Sequence, residues 1–496
     1  MKKVIIVGGG IAGLSAGIYA LQSGFDVTIL EMHTIPGGNS TSWRRGGYFF
    51  EGGMHWLTGS GKESPIYKVW TNLGALGDDV SVYNRDPFIT YIDDDQNVCL
   101  YRDVDKLEKH LLSISPSDKK EIMTLCKDIK KFSLISMPVT EIKGVTVKYK
   151  DKQKGSLSKL FKMLTAIPRM ISLNSISTGE YAERFRHKAI RELLKSEIPA
   201  DYDATSLLFT LATLARGDGG YPDGGSLSMA LRMAKQFEKL GGKIKYSTLV
   251  QKVLVNQDKA IGVLVDSEEI LADAIVVTVD TLSAIDKLFD EPLHDRWMDI
   301  MRENTKLSMN TFVCLGIEAD LSALPENMVM TFDQPFTYAG NDIDTIGLNN
   351  YATFEGYAPR GYTSVTMSLM GDTYDYWKIT KEQGTYYDEK KRLAEVIIDR
   401  LSSKLPQIKD KVAVWDVATP LTYERFCGTY KGSWMTETRK GSKMITYPAV
   451  SEKISSLYFA GQRMQPPGGL PVAAISGRTA IQYLCRDTNT VFQVKI

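Results

Sequence analysis

The chain has 496 residues, and its 60 Lys and Arg against 59 Asp and Glu give a formal net charge of +1. A chain of this length is longer than a domain with one ordinary hydrophobic core, and it predicts roughly two or three domains. A protein that binds nucleic acid over a large surface is expected to have an excess of basic residues, and this chain has almost none. A content of 43% hydrophobic and 24% charged residues excludes a disordered chain.

Cysteine spacing and apolar runs bear on the cellular compartment. The five cysteines are widely separated and form no CxxC pair, which favours reduced thiols in the cytosol and argues against a thiolate metal site. The five histidines show no ligand spacing, so we expect no metal. No uninterrupted apolar run is long enough to span a bilayer. We therefore expect a cytoplasmic protein, either free or peripheral on the inner face of a membrane.

The first elements are a strand, a glycine-rich turn and a helix. VIIV (Val4–Val7) is short, apolar and β-branched, as a buried parallel strand should be. In the segment GGGIAG that follows, Gly8 permits the tight turn, Gly10 lets backbone amides approach a pyrophosphate, and Gly13 lets the helix lie close to the strand. The N-terminus of the predicted helix offers free N–H groups and a partial positive charge to phosphates.

A second strand, DVTILE, ends at Glu31. An acid about twenty residues after the glycines is where an acceptor for ribose hydroxyls is needed. A carboxylate at that place favours an adenosine ribose with free hydroxyls and disfavours a 2′-phosphate. The strand, glycines, helix, second strand and terminal acid together predict a dinucleotide-binding unit.

Two stretches from Glu31 onward resemble a known group of proteins. EMHTIPGGNSTS resembles the second signature of the FAD-dependent amine oxidase and phytoene desaturase superfamily, and GGYFFEGGMHWLTG is similar to its carotenoid isomerase and retinol saturase branch. The resemblance implies an α/β fold, with a Rossmann-type FAD-binding domain (glutathione-reductase-like) and an α+β substrate domain built on an antiparallel sheet. It also implies that the cofactor is FAD, bound non-covalently.

Further blocks extend the resemblance along nearly the whole chain. Gly217–Val255 is similar to the family's central block, in which a strand, by position Leu249–Val255, holds the adenine with its backbone. Leu457–Cys485 resembles the closing FAD signature, in which a helix begins after a glycine-rich turn. The N-terminus of that helix, aimed at the flavin, would stabilise negative charge on the reduced ring.

The glycine motif and the resemblance together imply a set of cofactor-contacting residues. They are Gly8, Gly10, Ile11, Ala12, Gly13, Glu31, Met32, Gly37, Gly38, Asn39, Ser40, Gly53, Met54, His55, Leu249, Val250, Gly461, Gln462, Gly469, Leu470 and Pro471. Two of them depart from the family pattern, because Asn39 stands where a basic residue is usual and Gln462 where an acid is usual. At Asn39 the backbone contacts are expected to remain, and Gln462 can still hydrogen-bond a ribityl or phosphate oxygen without charge.

The cofactor motifs occupy three separate segments, so the predicted FAD-binding domain is discontinuous. It comprises residues 1–85, 217–290 and 412–496, and the substrate domain comprises residues 86–216 and 291–411. Alternating patterns in Lys306–Ile317 and Tyr362–Met370 predict strands of the antiparallel sheet on the flavin side, with helices outside.

One segment departs from the balanced charge. Between residues 143 and 171 there are eight basic residues and one acid, interleaved with bulky apolar residues. This pattern is typical of an amphipathic helix, near residues 155–172, at an anionic membrane surface. It is equally typical of a solvated helix that packs its apolar side on its own domain, and the sequence leaves both interpretations open.

The type of reaction follows mainly from the resemblance. The chain lacks the second dinucleotide fingerprint and the redox CxxC of flavoprotein disulfide reductases, so electrons must pass through a carrier without its own Rossmann domain, which the sequence does not identify, or through the substrate channel. The resemblance implies an oxidoreductase acting on carbon–carbon bonds of a carotenoid- or retinoid-like polyene or isoprenoid lipid, by desaturation, saturation or cis–trans isomerisation. Alternatives of the same fold are a flavin amine oxidase and a non-enzymatic prenyl-lipid carrier.

His55 follows the third glycine pair of the segment PGGNSTSWRRGGYFFEGGMH. Gly37 and Gly38 would lie against the pyrophosphate, and Gly52 and Gly53 would let the chain pass beside the isoalloxazine. His55 would then stand at the substrate face, where an imidazole can donate or accept a catalytic proton near neutral pH. It can equally hydrogen-bond its own loop and have no chemical role.

Overall fold

The computed structural model describes residues 1–92, 96–149 and 165–495. The strands in these ranges are β1 (Lys3–Val7), β2 (Asp26–Leu30), β3 (Ser42–Arg45), β4 (Tyr48–Glu51), β5 (Leu57–Thr58), β6 (Val82–Tyr83), β7 (Ile89–Ile92), β8 (Val98–Leu100), β9 (Val147–Tyr149), β10 (Gly219–Pro222), β11 (Lys243–Lys245), β12 (Lys252–Asn256), β13 (Lys259–Val265), β14 (Glu268–Leu271), β15 (Ala274–Val277), β16 (Leu307–Ser308), β17 (Asn310–Ile317), β18 (Asn327–Tyr338), β19 (Asn341–Asn350), β20 (Thr363–Met370), β21 (Val412–Ala418), β22 (Met435–Thr436), β23 (Leu457–Phe459) and β24 (Phe492–Val494). The helices are α1 (Ile11–Gln22), α2 (Pro65–Asn72), α3 (Val104–Ile114), α4 (Lys119–Phe132), α5 (Ile167–Asn174), α6 (Thr178–Ala182), α7 (Lys188–Glu197), α8 (Ala204–Ala215), α9 (Gly225–Lys239), α10 (Thr281–Lys287), α11 (Arg296–Asn304), α12 (Tyr374–Glu382), α13 (Tyr386–Lys404), α14 (Pro420–Cys427) and α15 (Leu470–Asp487).

Five parallel strands form the central sheet of the predicted FAD-binding domain, in the order β11-β2-β1-β15-β23. The predicted strand at Val4–Val7 is confirmed as the buried part of β1, and the predicted strand before Glu31 is confirmed as β2. Helices α1 and α15 pack against each other, so closely that a Cβ added at Gly477 would lie 2.4 Å from the Ala12 carbonyl oxygen. The first and last cofactor motifs therefore meet in one unit.

Seven strands form the sheet of the predicted substrate domain, in the order β21-β17-β20-β19-β18-β7-β8. The strands predicted within Lys306–Ile317 and Tyr362–Met370 are confirmed as β17 and β20, which pair antiparallel. The sheet is antiparallel except between β7 and β18, which are far apart in the chain and have no hairpin turn to reverse their direction. Because β21 begins at Val412, this sheet takes one strand from the segment assigned to the FAD-binding domain, and the division into two domains remains a prediction.

Helices cover the sheets and form separate hydrophobic cores. Trp377 of α12 and Leu393 of α13 pack on the seven-stranded sheet with Val313 of β17. Helices α3, α4, α7 and α8 form another core, which contains Leu125 and Leu208. Met330 of β18 belongs to the first of these cores and Val329 to the second, so helices pack on both faces of this sheet, and their place on its outer side remains a prediction.

The basic segment lies partly outside the described residues, which omit 150–164. In its described part, α5 exposes 67% of Ile171, but the Arg169 guanidinium donates to the Asp128 carboxylate at 2.6 Å. This ion pair ties α5 to α4, as expected for a helix packed on its own domain, and membrane contact remains a prediction. Among the helices of the described ranges, none is long and apolar enough to cross a membrane.

Candidate cofactor site and active site

A cavity of about 1090 Å³ lies at the carboxyl ends of β1, β2, β15 and β23. This edge of a parallel sheet is the usual ligand site of doubly wound folds. The predicted cofactor residues that line the cavity are Gly8, Gly10, Ile11, Ala12, Glu31, Met32, Gly37, Gly38, Asn39, Ser40, Gly53, Leu249, Val250, Gly461, Gln462, Gly469 and Leu470. Segments from the start, middle and end of the chain thus meet around one space.

Four predicted residues are not in the cavity wall. Gly13 lies where α1 approaches β1, since a Cβ there would be 2.0 Å from the Gly8 carbonyl oxygen, and this is the packing role that the motif assigns to it. Met54 is buried in the core, Pro471 lies in the first turn of α15, and His55 adjoins a tryptophan of the wall. A direct cofactor contact by these residues remains a prediction.

The backbone of residues 8–10 lies close to the backbone of residues 37–38. The Gly37 N–H donates to the Gly9 carbonyl oxygen at 3.0 Å, and Gly37 has φ +120°, a conformation that favours glycine. Apart from the chain neighbours, the described atom nearest to a Cβ added at Gly10 is the Gly37 carbonyl oxygen, at 3.8 Å, so a larger side chain would project into the cavity. We call residues 8–10 and 37–40 the glycine cradle. Four of its N–H groups donate within the protein, and those of Gly10, Gly38 and Asn39, which have no acceptor among the described residues, suit a pyrophosphate.

Glu31 closes the glycine cradle at the end of β2. Its carboxylate accepts hydrogen bonds from the Gly9 N–H at 2.6 Å and the His33 N–H at 2.8 Å. Burial raises the pKa of Glu31, and the two hydrogen bonds oppose this rise because they stabilise the charged form. Each carboxylate oxygen keeps a second lone pair, so the residue fits the ribose hydroxyls for which the sequence predicted it.

Asn39 has a hydrogen-bond acceptor without a donor. Its Oδ1 is buried and has no hydrogen-bond partner among the described residues, while the residue lines the cavity. An unpaired buried acceptor costs about 1–3 kcal/mol, and a donor on a bound ligand would remove that cost. This oxygen and the open glycine cradle both fit a bound dinucleotide.

The predicted adenine-binding strand over residues 249–255 begins only at Lys252, so the prediction is wrong for its first three residues. Ser247 turns the chain with φ +52°, and the Thr248 N–H donates to the Glu31 carbonyl oxygen at 2.8 Å. This hydrogen bond fixes the start of the segment beside the glycine cradle. Residues 249 and 250 consequently line the cavity as part of a loop.

Gln462 is hydrogen-bonded within the protein. Its Nε2 donates to the Trp434 carbonyl oxygen at 2.7 Å, and its Oε1 accepts from the Gly469 N–H at 3.3 Å. The amide thereby holds the glycine-rich turn before α15 against Trp434. Its second N–H is the group that remains for a ribityl or phosphate oxygen.

A buried ion pair in the cavity wall was missed by the sequence analysis. The Asp280 and Arg463 side chains are each 2% exposed, and Arg463 Nη2 lies 2.7 Å from Asp280 Oδ2. The guanidinium also donates to the Ser433 and Thr436 hydroxyls. Asp280 ends the apolar segment of β15 and so has the same strand-end signal as Glu31, whereas no pattern in the sequence indicates Arg463.

Glu51 is a second residue whose role the sequence analysis did not reveal. It is buried next to the loop that contains Gly52 and Gly53. One carboxylate oxygen accepts from the Gly53 N–H at 2.9 Å and the Met54 N–H at 3.1 Å. The other accepts from the Tyr221 hydroxyl at 2.7 Å and the Ser226 N–H at 2.9 Å. Glu51 therefore joins the loop before His55 to β10 and α9, and an acid between aromatics and glycines in YFFEGG was a usable signal.

A row of aromatic rings extends from the cavity through His55. The His55 ring centroid lies 5.9 Å from that of Trp434, which lines the cavity, and 6.3 Å from that of Trp56. Trp56 continues the row to Phe88, with the centroids 5.6 Å apart. We call Trp434, His55, Trp56 and Phe88 the ring wall.

Two polar side chains hold His55 in place. Its Nδ1 lies 3.3 Å from Asn349 Nδ2, and the Arg85 guanidinium donates to the His55 carbonyl oxygen at 3.4 Å. Burial, together with the nearby Arg85 charge, lowers the pKa of His55 to about 4. The imidazole is therefore neutral at physiological pH, in contrast to the titration near neutrality that the sequence analysis assumed.

Arg85 is fixed by partners from distant segments. The guanidinium is 2% exposed, and its Nε lies 3.3 Å from the Glu326 carboxylate. It also lies over the rings of Tyr221 and Phe354, 5.3 Å from each centroid, and 5.8 Å from that of Tyr351. The ion pair and the ring faces stabilise the buried charge, and no local pattern in the sequence identifies this cage.

Comparison with known families matches residues 11–485 to the family described as flavin containing amine oxidoreductase. The chain belongs to this family. Its cofactor is FAD, and the open glycine cradle fits that cofactor. The predicted family and the predicted α/β fold with a parallel sheet are both confirmed.

Individual relatives are distant but similar along the whole chain. A 4,4'-diaponeurosporene oxygenase of Staphylococcus aureus (strain Mu50) is 23% identical over 499 residues, covering 96% of this chain and 97% of the relative. An oxidoreductase from Methanosarcina mazei has 17% identity and a TM-score of 0.61, covering 97% of this chain and all of that chain. A putrescine oxidase solved with putrescine has 15% identity and a TM-score of 0.62, covering 98% and 99%. At these identities the two solved structures show a shared fold.

Proposed function

We propose that this protein uses FAD, bound non-covalently in the glycine cradle, to change a carbon–carbon bond of a hydrophobic polyene or isoprenoid lipid. The change would be desaturation, saturation or cis–trans isomerisation. When bound, FAD supplies two-electron redox chemistry. Family membership supports the cofactor and the general class of oxidoreductase, and the bond and the substrate class are the proposal.

The ring wall is the observation on which the substrate class depends. It begins at Trp434 in the cavity and continues through His55 and Trp56 to Phe88. All its members are neutral at pH 7, because the pKa of His55 is lowered to about 4. Trp434, His55 and Trp56 are partly exposed, whereas Phe88 is buried behind them, so an apolar molecule that passes Trp434 would meet neutral rings and desolvate no charge on them.

The protein's own residues would prepare the site in three ways. The glycine cradle would bind the pyrophosphate with backbone amides, and Glu31 would accept hydrogen bonds from the ribose. Helix α15 begins at the cavity wall with Gly469 as its N-cap, so its partial positive charge would stabilise negative charge there. Glu51 would fix the loop that positions His55 by accepting from the Gly53 and Met54 N–H groups.

Similarity to a diaponeurosporene oxygenase supports a carotenoid-like substrate. The similarity covers nearly the full length of both chains, so it includes the substrate side as well as the cofactor motifs. Because that relative is named an oxygenase, addition of oxygen has to be measured beside the other three outcomes.

A flavin amine oxidase is the second candidate, favoured by the family's description and by the fold shared with putrescine oxidase. The neutral ring wall suits a polyene better than an amine. A prenyl-lipid carrier without flavin would not need the open glycine cradle or the unpaired Asn39 oxygen. An electron carrier without a Rossmann domain, and a peripheral membrane contact through the basic segment, are further parts of the proposal.

The test is incubation of the FAD-loaded protein with a panel of polyenes, isoprenoid lipids and primary amines. Parallel samples would hold the flavin oxidised or pre-reduced, with and without oxygen, and product masses would be measured. Loss or gain of two hydrogens, or a new geometric isomer, would support the proposal, whereas added oxygen on a polyene would support the substrate class and contradict the type of reaction. Turnover of amines alone would contradict it, and a protein that does not retain FAD would favour the carrier.

A further inference from the structure

The two nitrogens of the His55 ring have different surroundings. Nδ1 faces the Asn349 side-chain amide at 3.3 Å. Nε2 has no hydrogen-bond partner among the described residues, and the residue is only partly buried. A neutral imidazole carries its hydrogen on one nitrogen, and the partner of the other nitrogen decides which one.

Asn349 occupies a rigid place in the seven-stranded sheet. It is 7% exposed and lies in β19, paired with Asn327 of β18 on one side and with Thr366 of β20 on the other. Since both flanking strands hold its backbone, the Cα of Asn349 is fixed, and from this place its side-chain amide reaches His55. Its Nδ2 is the donor facing Nδ1, and an acceptor at Nδ1 has no hydrogen of its own.

A cation behind the loop completes the arrangement. The buried Arg85 guanidinium donates to the His55 carbonyl oxygen, and its charge opposes protonation of the nearby ring. Charge on His55 is thus disfavoured, and the single hydrogen of the neutral ring is left for Nε2. Because His55 is only partly buried and Nε2 has no acceptor among the described residues, an N–H there is free to donate to an acceptor that comes from outside the protein.

We propose that Asn349 is a positioning residue that holds His55 as the neutral tautomer with hydrogen on Nε2, and that this N–H binds an oxygen acceptor of the substrate. The inference rests on the proposed function for the substrate's polyene or isoprenoid body. It adds that the body carries a carbonyl, hydroxyl or ether oxygen and is not a plain hydrocarbon. His55 then selects the substrate and orients it along the ring wall.

The tautomer is measurable without any substrate. Histidine-selective ¹⁵N labelling of the FAD-loaded protein would give the ring nitrogen signals, and the His55→Gln variant would identify those of His55. We expect a hydrogen-bearing Nε2 and a bare Nδ1 that accepts a hydrogen bond. Asn349→Leu should mix the two tautomers, whereas Asn341→Leu, the same change at the exposed opposite end of β19, should leave them as they are. A hydrogen on Nδ1 in the native protein would overturn the assignment.

The substrate preference is measured with two polyenes of equal length, one a terminal aldehyde and the other the matching hydrocarbon. We expect the native protein to favour the aldehyde in kcat/KM by about tenfold, the effect of one neutral hydrogen bond. His55→Phe should remove this preference and His55→Gln, whose amide N–H can replace Nε2, should restore part of it. Equal kcat/KM for the two polyenes in the native protein would overturn the substrate assignment.

The two measurements separate this inference from the proposed function. If no polyene reacts, the proposed function fails, and the nitrogen signals still decide whether Asn349 sets the tautomer. If polyenes react but the aldehyde has no advantage, the proposed function stands and the inference fails. Flavin absorbance of each variant reports folding, and His55→Leu, which also lacks an N–H donor, replaces His55→Phe if the latter does not retain FAD.

Discussion

The glycine cradle and the ring wall are adjacent parts of one site, but they are built differently. The cradle is made of backbone, and the segments that form it are short and continuous in the chain. The ring wall is made of side chains from separate segments, and it depends on Asn349, Arg85 and Glu51 for its position. In a site built from backbone, an added side chain at a glycine position would block the ligand. In a site built from side chains, the position of each ring depends on residues that are far away in the chain.

The strongest test of this difference is Gly10→Val. A side chain there would project into the cavity, so we expect complete loss of FAD retention, read as flavin absorbance after desalting. Gly347→Val is the matched control, because Gly347 lies in β19 with nothing within 4 Å of an added Cβ. Full flavin in Gly10→Val would disprove our placement of the phosphates.

Arg463→Met tests the buried ion pair that borders the cradle. It leaves Asp280 buried without its partner, and we expect the free energy of unfolding to fall by about 3–5 kcal/mol. Denaturant titration of the flavin-free protein measures this change. Lys391→Met, which breaks an exposed pair with Glu395, should have a far smaller effect, and comparable losses in both variants would contradict the argument.

Glu51→Gln tests the support of the ring wall. The carboxylate accepts from five donors, and an amide cannot accept from all of them with the same strength, so we expect a loss of about 2 kcal/mol in the free energy of unfolding. Weaker FAD binding should accompany it, because Gly53 lines the cavity. The exposed Glu318→Gln serves as control, and an unchanged unfolding curve for Glu51→Gln would show that this hub is dispensable.

The smallest expected effect is the pH dependence due to His55. The pKa of His55 is about 4 in the folded protein against an ordinary 6.5, so below pH 6.5 the unfolded chain binds a proton that the folded chain does not. The stability that His55 contributes is full above pH 6.5 and is lost as the pH falls towards 4. We expect the native protein to lose about 1 kcal/mol relative to His55→Gln over this interval, a value reduced because the ring is partly exposed. Parallel unfolding curves at all pH values would refute the lowered pKa.

Local patterns predicted the cofactor side well. The β-branched run of β1, the glycines after it and Glu31 at the end of β2 are each encoded within a few residues, because backbone conformation and strand burial are local properties. The same holds for Gly461 and Gly469 before α15. The exception was the segment before β12. There the Thr248 N–H donates to the Glu31 carbonyl oxygen, and residues 249–251 form a loop where a strand was expected.

The amino-acid sequence by itself determined that this chain builds a parallel sheet, follows its first strand with a glycine-rich turn, and carries a carboxylate, Glu31, after its second strand. Only the tertiary structure decided that His55 is neutral, that Asn349 faces its Nδ1, and that Arg85 and Glu51 support it. The physical reason is that the pKa and orientation of a side chain depend on burial and on partners that lie tens or hundreds of residues away. No pattern within one segment contains that information.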